Sequence, residues 1–95
     1  MTRVLRLTPR YLHDADRLGA VTGSARGAAV VQTIRALLRE DLLPGTGDVR
    51  ALLPPTREAF VRRVPHRNLW LWYRIRGDDL LVLLLTADPP VPLDE

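Results

Sequence analysis

Six arginines and a histidine (Arg57, Arg62, Arg63, Arg67, Arg74, Arg76 and His66) fall within twenty residues that hold a single acid, Glu58. A guanidinium is a permanent cation whose planar fork matches phosphate and carboxylate oxygens, but it is a poor proton carrier. Proton transfer from this stretch would fall to His66, its one imidazole. Trp70 and Trp72 lie inside the same run, and Arg74 and Arg76 continue their two-residue spacing. In a strand, residues two apart share a face. Two indoles with arginines on one face have two natural uses. They can stack nucleic-acid bases while the guanidiniums take phosphates, or they can dock an apolar, acidic segment of a partner protein. A blander alternative is that Arg63 and Trp70 form a cation–π pair of local consequence only.

The rest of the composition narrows the classes. Ninety-five residues suit one compact domain, and 46% apolar with 26% charged residues is ordinary for a globular chain. All fourteen basic residues are arginine, eleven acids oppose them for a net charge of +3, and outside residues 57–76 the chain is net acidic. The basic character is therefore local, which is the footprint of a surface that meets phosphates or an acidic partner. With no cysteine there is no disulfide or thiolate nucleophile, and His13 and His66 are too far apart in sequence to suggest a metal site, so no cofactor is expected. No apolar run approaches a membrane span and the first residues carry no signal-peptide core; a cytoplasmic protein without membrane contact is expected.

The elements that must position these side chains can be read in order. Residues 3–7 form a short strand. Thr8-Pro9 then starts a helix to about Leu18, with Tyr11, Leu12, Ala15 and Leu18 as its apolar stripe and Gly19 to end it. Ser24 caps a second helix reaching about Asp41, whose stripe is Val30, Val31, Ile34, Leu37, Leu38 and Leu42. Pro44-Gly45, Gly47-Asp48 and Pro54-Pro55 mark residues 43–57 as a long loop, either functional or packed down as a lid. Three strands follow: Ala59–Val64, Leu69–Arg76 and Leu80–Ala87, joined by Pro65-His66-Arg67-Asn68 and by Gly77-Asp78. The last, apolar at every position from Leu80 to Leu85, reads as central and buried on both faces. Residues 1–87 make one domain, and the proline-rich residues 88–95 an extended tail. The class is α+β, in the order β-α-α-β-β-β, with a two-helix hairpin on one face of a small, mainly antiparallel sheet.

A two-residue turn at Gly77-Asp78 pairs Arg76 with Asp79, Arg74 with Leu81, Trp72 with Leu83 and Trp70 with Leu85; a tight turn before it opposes Arg63 to Trp70 and Val61 to Trp72. One face then carries Phe60, Val64, Leu69, Leu71, Tyr73, Ile75, Leu80, Val82 and Leu84, interrupted by Arg62, for the helices to cover. The other carries Arg63, Trp70, Trp72, Arg74 and Arg76 beside Leu81, Leu83 and Leu85, and no third helix is left to bury it.

Phe60-Val61-Arg62-Arg63-Val64, then Asn68-Leu69-Trp70-Leu71-Trp72-Tyr73-Arg74-Ile75, then Gly77-Asp78-Asp79 and Leu80 to Leu85 resemble the basic strand, aromatic strand, turn and hydrophobic strand of the RelE/ParE superfamily of bacterial type II toxins. By element order the resemblance spans about 85 of the 95 residues. It implies a cognate antitoxin that wraps the toxin and neutralises its basic surface. The target it implies is either mRNA in the ribosome, which the RelE-like branch cuts, or DNA gyrase, which the ParE-like branch poisons. RelE-like nucleases use a basic residue on the first meander strand, an arginine on the second, another after the hydrophobic strand, and often a C-terminal tyrosine or histidine. Arg63 matches the first. Trp70 stands at the second, Asp88-Pro89-Pro90 at the third, and Pro92-Leu93-Asp94-Glu95 offers neither Tyr nor His. These departures favour inhibition by binding over RNA cleavage. If cleavage occurs, Arg63, His66 and Arg67 are the catalytic candidates; Arg57, Arg63, Trp70, Trp72, Arg74 and Arg76 are the binding candidates. A catalytically silent nucleic-acid- or protein-binding module of the same fold is the other class, and exposed indoles would also suit a homodimer or a toxin–antitoxin hetero-oligomer.

Overall fold

The computed structural model describes residues 3–39, 49–53 and 57–90. Along the chain run β1 (Val4–Leu7), α1 (Pro9–Arg17), α2 (Ala25–Arg39), β2 (Val49–Leu53), β3 (Arg57–Arg63), β4 (Trp70–Arg76) and β5 (Asp79–Thr86). The strands form one sheet in the order β1-β5-β4-β3-β2. β1 runs parallel to β5 and the other pairs are antiparallel. Two helices on one face of a mostly antiparallel sheet is the α+β arrangement that the sequence predicts.

The expected loop at 43–57 is corrected in part, since β2 lies within it and pairs along its length with β3, from Val49↔Val61 to Leu53↔Arg57. Five residues between proline- and glycine-rich flanks give too short a run for alternation to announce a strand; pairing with β3 makes it one. The remainder of that loop lies outside the described residues, as do the end predicted for the second helix and residues 91–95.

α1 opens as its sequence dictates. The Thr8 hydroxyl accepts from Tyr11 N at 3.2 Å and Pro9 follows at the first helical position. The predicted stripe is wrong by one residue: Leu12 is 53% exposed, while Asp14 is 1% exposed beside buried Tyr11 and Ala15. Asp14 is buried because it has work on the sheet. β1 accompanies β5 only as far as Leu7↔Val82, and from there Thr8 and α1 take over the strand's edge. Thr8 N donates to Val82 O at 3.2 Å, the Thr8 hydroxyl reaches Leu83 O at 2.8 Å, and Asp14 Oδ2 accepts from Leu85 N at 3.3 Å. Arg10 Nε lies 3.0 Å from both oxygens of the same carboxylate, and Arg17 is 3.9 Å away. A buried charge thus has both an ion pair and a hydrogen-bond donor, which makes its burial tolerable.

On α2 the Ser24 hydroxyl accepts from Gly27 N at 2.9 Å. Gly27 is required there: a Cβ would stand 2.1 Å from the Val21 carbonyl oxygen, so the connector can cross the helix only over a bare backbone. Val30, Ile34 and Leu37 are buried as expected, joined by Thr33, while Val31 is turned out and 45% exposed. The principal core lies between these helices and the sheet, where Val64, Leu69, Leu71, Tyr73, Leu80, Val82 and Leu85 meet Tyr11, Ala15, Val30, Ile34 and Leu37.

The turn at Gly77-Asp78 holds as predicted, with Gly77 at φ 58° and Arg76↔Asp79 closing it. Beyond Tyr73↔Val82 the register breaks. Trp72 pairs with Leu84 and Trp70 with Thr86, so β5 carries one extra residue, a β-bulge at Leu83. The bulge reverses the alternation. Leu84, expected under the helices, lies on the opposite face, and Leu85 lies in the principal core. β5 is also not central, for it is second from the β1 edge, and Leu81 and Leu83 are half-buried rather than enclosed.

Candidate functional site

Along β3 and β4 the predicted faces hold. Arg63↔Trp70 and Val61↔Trp72 are cross-strand partners, and alternation places Arg63, Trp70, Trp72, Arg74 and Arg76 together on the face away from the helices. Although no third helix is present among the described residues, that face is not bare. Ala51, Ala59, Val61, Trp72 and Leu84 form a second small cluster, with Trp70 and Leu83 packed against it. Three of its contributors come from β2, the bulge and the small residue Ala59. Alanines at 51 and 59 leave room for an indole, and the bulge turns Leu84 towards it.

The two tryptophans consequently differ. Trp72 is 9% exposed, and its Nε1–H donates to the Thr86 hydroxyl at 3.0 Å, which in turn donates to Asp88 O at 3.0 Å. Its ring is the floor of the face rather than an open stacking platform. Trp70 is half-buried, with the Arg63 guanidinium 5.6 Å from its ring centroid, which is the cation–π pair anticipated from the sequence. The same guanidinium donates to Arg67 O at 3.1 Å and approaches Asn68 Oδ1 at 3.4 Å. Arg63 therefore ties the face to the turn that follows β3.

Arg74 is half-buried and Arg76 exposed. The nearest cross-strand acid for Arg76 is Asp79, whose carboxylate is taken by Arg6 Nε at 3.0 Å from the neighbouring β1. Among the described residues neither Arg74, Arg76 nor Arg63 has a carboxylate partner. Uncompensated guanidiniums beside an aromatic floor make a surface of positive potential that can take oxyanions. Arg57 is the first residue of β3, opposite Leu53; its side chain lies outside the described residues.

His66 and Arg67 are not on this face with Trp70. They belong to the turn between β3 and β4, where His66 sits at φ 61° in the left-handed region. Together with Arg26 of α2 they line a recess at the end of the helical hairpin. Arg26 was not distinguishable in the sequence from the other arginines of that helix, because only the tertiary fold brings it to the turn. A separate, apolar groove of about 610 Å³ lies between β1 and the helices, with Leu5, Leu7, Leu12, Val31 and Leu38 among its walls. Among the described residues no group of three or more His, Asp or Glu side chains gathers as a metal site, and no helix is long and apolar enough to cross a membrane.

No protein-family model matches the chain, and no curated protein matches it. Its fold is similar to that in the crystal structure of a copper-bound point mutant of a toxin from Helicobacter pylori, at 24% identity and a TM-score of 0.61, over 87% of this chain and 91% of that one. At that identity the likeness concerns the fold.

Proposed function

We propose that this chain is the toxin of a type II toxin–antitoxin pair of the RelE/ParE kind. It arrests growth by binding its target, DNA gyrase or the translation machinery, through the face that bears Arg63, Trp70, Arg74 and Arg76, and a cognate antitoxin neutralises it. The observation that carries this reading is the set of guanidiniums on one sheet face without carboxylate partners among the described residues. The fold shared with a bacterial toxin supports it. So does the chemistry a neutralising partner would need, an acidic and apolar segment to cover arginines beside a tryptophan.

Binding is favoured over RNA cleavage by the disposition of the proton carrier. Cleavage through a 2′-hydroxyl needs a group to take a proton and one to return it, beside a group that stabilises the phosphorane. His66 lies in the turn and lines a different recess from the Arg74–Arg76 stripe, so among the described residues the face holds cations and no imidazole.

The test is induction of the gene in a bacterium, with labelled thymidine and labelled amino acid followed over the first minutes. Growth arrest is expected, relieved by Arg74→Ala/Arg76→Ala and indifferent to His66→Ala. An early fall in thymidine incorporation identifies replication as the target, and an early fall in amino-acid incorporation identifies translation. Relief by His66→Ala would favour a nuclease with altered catalytic residues. An induced, folded protein without any effect on growth would leave a silent binding module.

A further inference from the structure

Four segments meet at one corner of the molecule: the end of α1, the first turn of α2, the turn between β3 and β4, and the chain leaving β5. They enclose a recess of about 320 Å³ lined by Leu18, Arg26, His66, Arg67, Asn68, Leu69 and Ala87. Its polar side chains are two guanidiniums, an imidazole and an amide, and among the described residues no Asp or Glu lines it. Arg26 and Arg67 both line it, over an apolar floor of Leu18, Leu69 and Ala87, and two like charges sharing a recess repel one another. An anion between them turns that repulsion into attraction.

The Arg26 side chain and the backbone of Arg67 are also anchored. Arg26 Nη1 donates to Leu18 O at 3.0 Å, which fixes that guanidinium against the end of α1 and leaves its other donors for the recess. The backbone of Arg67 is tied on both sides, its N–H donating to Val64 O at 3.2 Å and its carbonyl accepting from Arg63 Nε at 3.1 Å. Arg67 is half-buried, yet among the described residues its guanidinium has no acceptor. Asn68 turns Oδ1 to Arg63, which directs its two amide protons elsewhere. His66 stands in the left-handed region, a conformation that costs a non-glycine residue energy and recurs at binding sites. Arg26 also lies in a first helical turn that contains no acid, where the helix dipole adds to the positive potential. The described lining of the recess is thus rich in donors and poor in acidic acceptors, the complement of a tetrahedral oxyanion.

We infer that this recess binds a phosphate group, with Arg67 and Arg26 as the charged donors and Asn68 and His66 completing the set. The phosphate can be free, borne by a nucleotide, or at the end of a nucleic acid; the inference is independent of the toxin reading, because it concerns a different surface and a different readout. The test is an NMR titration of the full chain with inorganic phosphate, adenosine 5′-monophosphate and adenosine. Inorganic phosphate is expected to shift the amides of Arg26 and of residues 66–68 saturably, and adenosine to leave them unmoved. Equal affinity for phosphate and the nucleotide supports a free anion; tighter nucleotide binding supports a nucleotide or nucleic-acid end. Arg67→Gln and Arg26→Gln should each weaken binding about tenfold or more, the loss of a charge-assisted hydrogen bond, and Arg67→Lys should weaken it less. Arg35→Gln, exposed on α2 about 13 Å further along the helix, removes the same charge and should change affinity less than about twofold. Thermal melts check that each variant is folded, and exposed Arg26 keeps the test decisive if Arg67→Gln is not. Shifts that do not saturate, shifts induced equally by adenosine, or an Arg35→Gln effect as large as that of Arg26→Gln would overturn the inference.

Discussion

The two faces of the sheet are made from the same strands but solve opposite problems. Under the helices, alternate residues of β3, β4 and β5 join side chains of α1 and α2 in one continuous core, in which Val64, Leu71, Leu80, Val82 and Leu85 are fully buried. On the other face no helix packs among the described residues, and the sheet buries Trp72 with two alanines, a valine and a leucine. Around that cluster the described face carries Arg63, Arg74 and Arg76 beside Trp70. The difference teaches that burial here is proportionate to covering layers, and that the thinly covered face keeps the cations available for recognition.

The sharpest way to break this comparison is to make the same cavity on each side. Leu71→Ala, under the helices, is expected to cost about 3–4 kcal/mol, and Leu84→Ala, on the tryptophan side, about 2 kcal/mol because the thinner cover can collapse. Urea midpoints would read both. Equal losses would mean that the two clusters are one core. Asp14→Ala removes the acceptor of Leu85 N and the partner of Arg10, and a loss of about 2 kcal/mol is expected; Asp14→Asn, which retains an acceptor, should be milder. Thr86→Val strands the Trp72 indole N–H, for about 1 kcal/mol in the same assay and a shift in tryptophan fluorescence.

A pH series sharpens the helix side further. Burial pushes the Tyr11 hydroxyl above its ordinary value of 10.0. The folded chain holds that proton more tightly than the unfolded chain, so the contribution is intact below the unfolded value and is lost as pH climbs through the folded one. Urea midpoints from about pH 9 to about pH 11 should fall less steeply in Tyr11→Phe. The smallest stability effects belong to the recognition side: Arg74→Ala and Arg76→Ala should each stay within about 0.5 kcal/mol of the parent while relieving growth arrest. A large destabilisation from either would place it in the fold's own support.

Much of this was legible from local chemistry. Thr8-Pro9 and Ser24 announced both helices, Gly77-Asp78 announced its turn, and the spacing of Trp70, Trp72, Arg74 and Arg76 put them on one face. What escaped was set by partners distant in sequence. Asp14 is inside because Leu85, 71 residues away, needs an acceptor, and Leu12 is outside for the same helical rotation. β2 escaped because its pairing, rather than its composition, defines it. Of the phosphate recess, His66 and Arg67 were visible as a turn, but Arg26 joins them through the packing of α2 alone.

The leucines of β5 are nearly a single repeated letter, so the strand's reading frame is not written in them. Sliding by one residue would exchange leucine with leucine or valine between Leu80 and Leu85. The frame is written instead in two punctuation marks at the strand's end, the Leu85 N–H bound by Asp14 and the Thr86 hydroxyl bound by Trp72. Substitutions among the leucines can therefore accumulate without moving the text, whereas erasing both marks would free the strand to be read in the other phase, with the two faces exchanged beyond Val82.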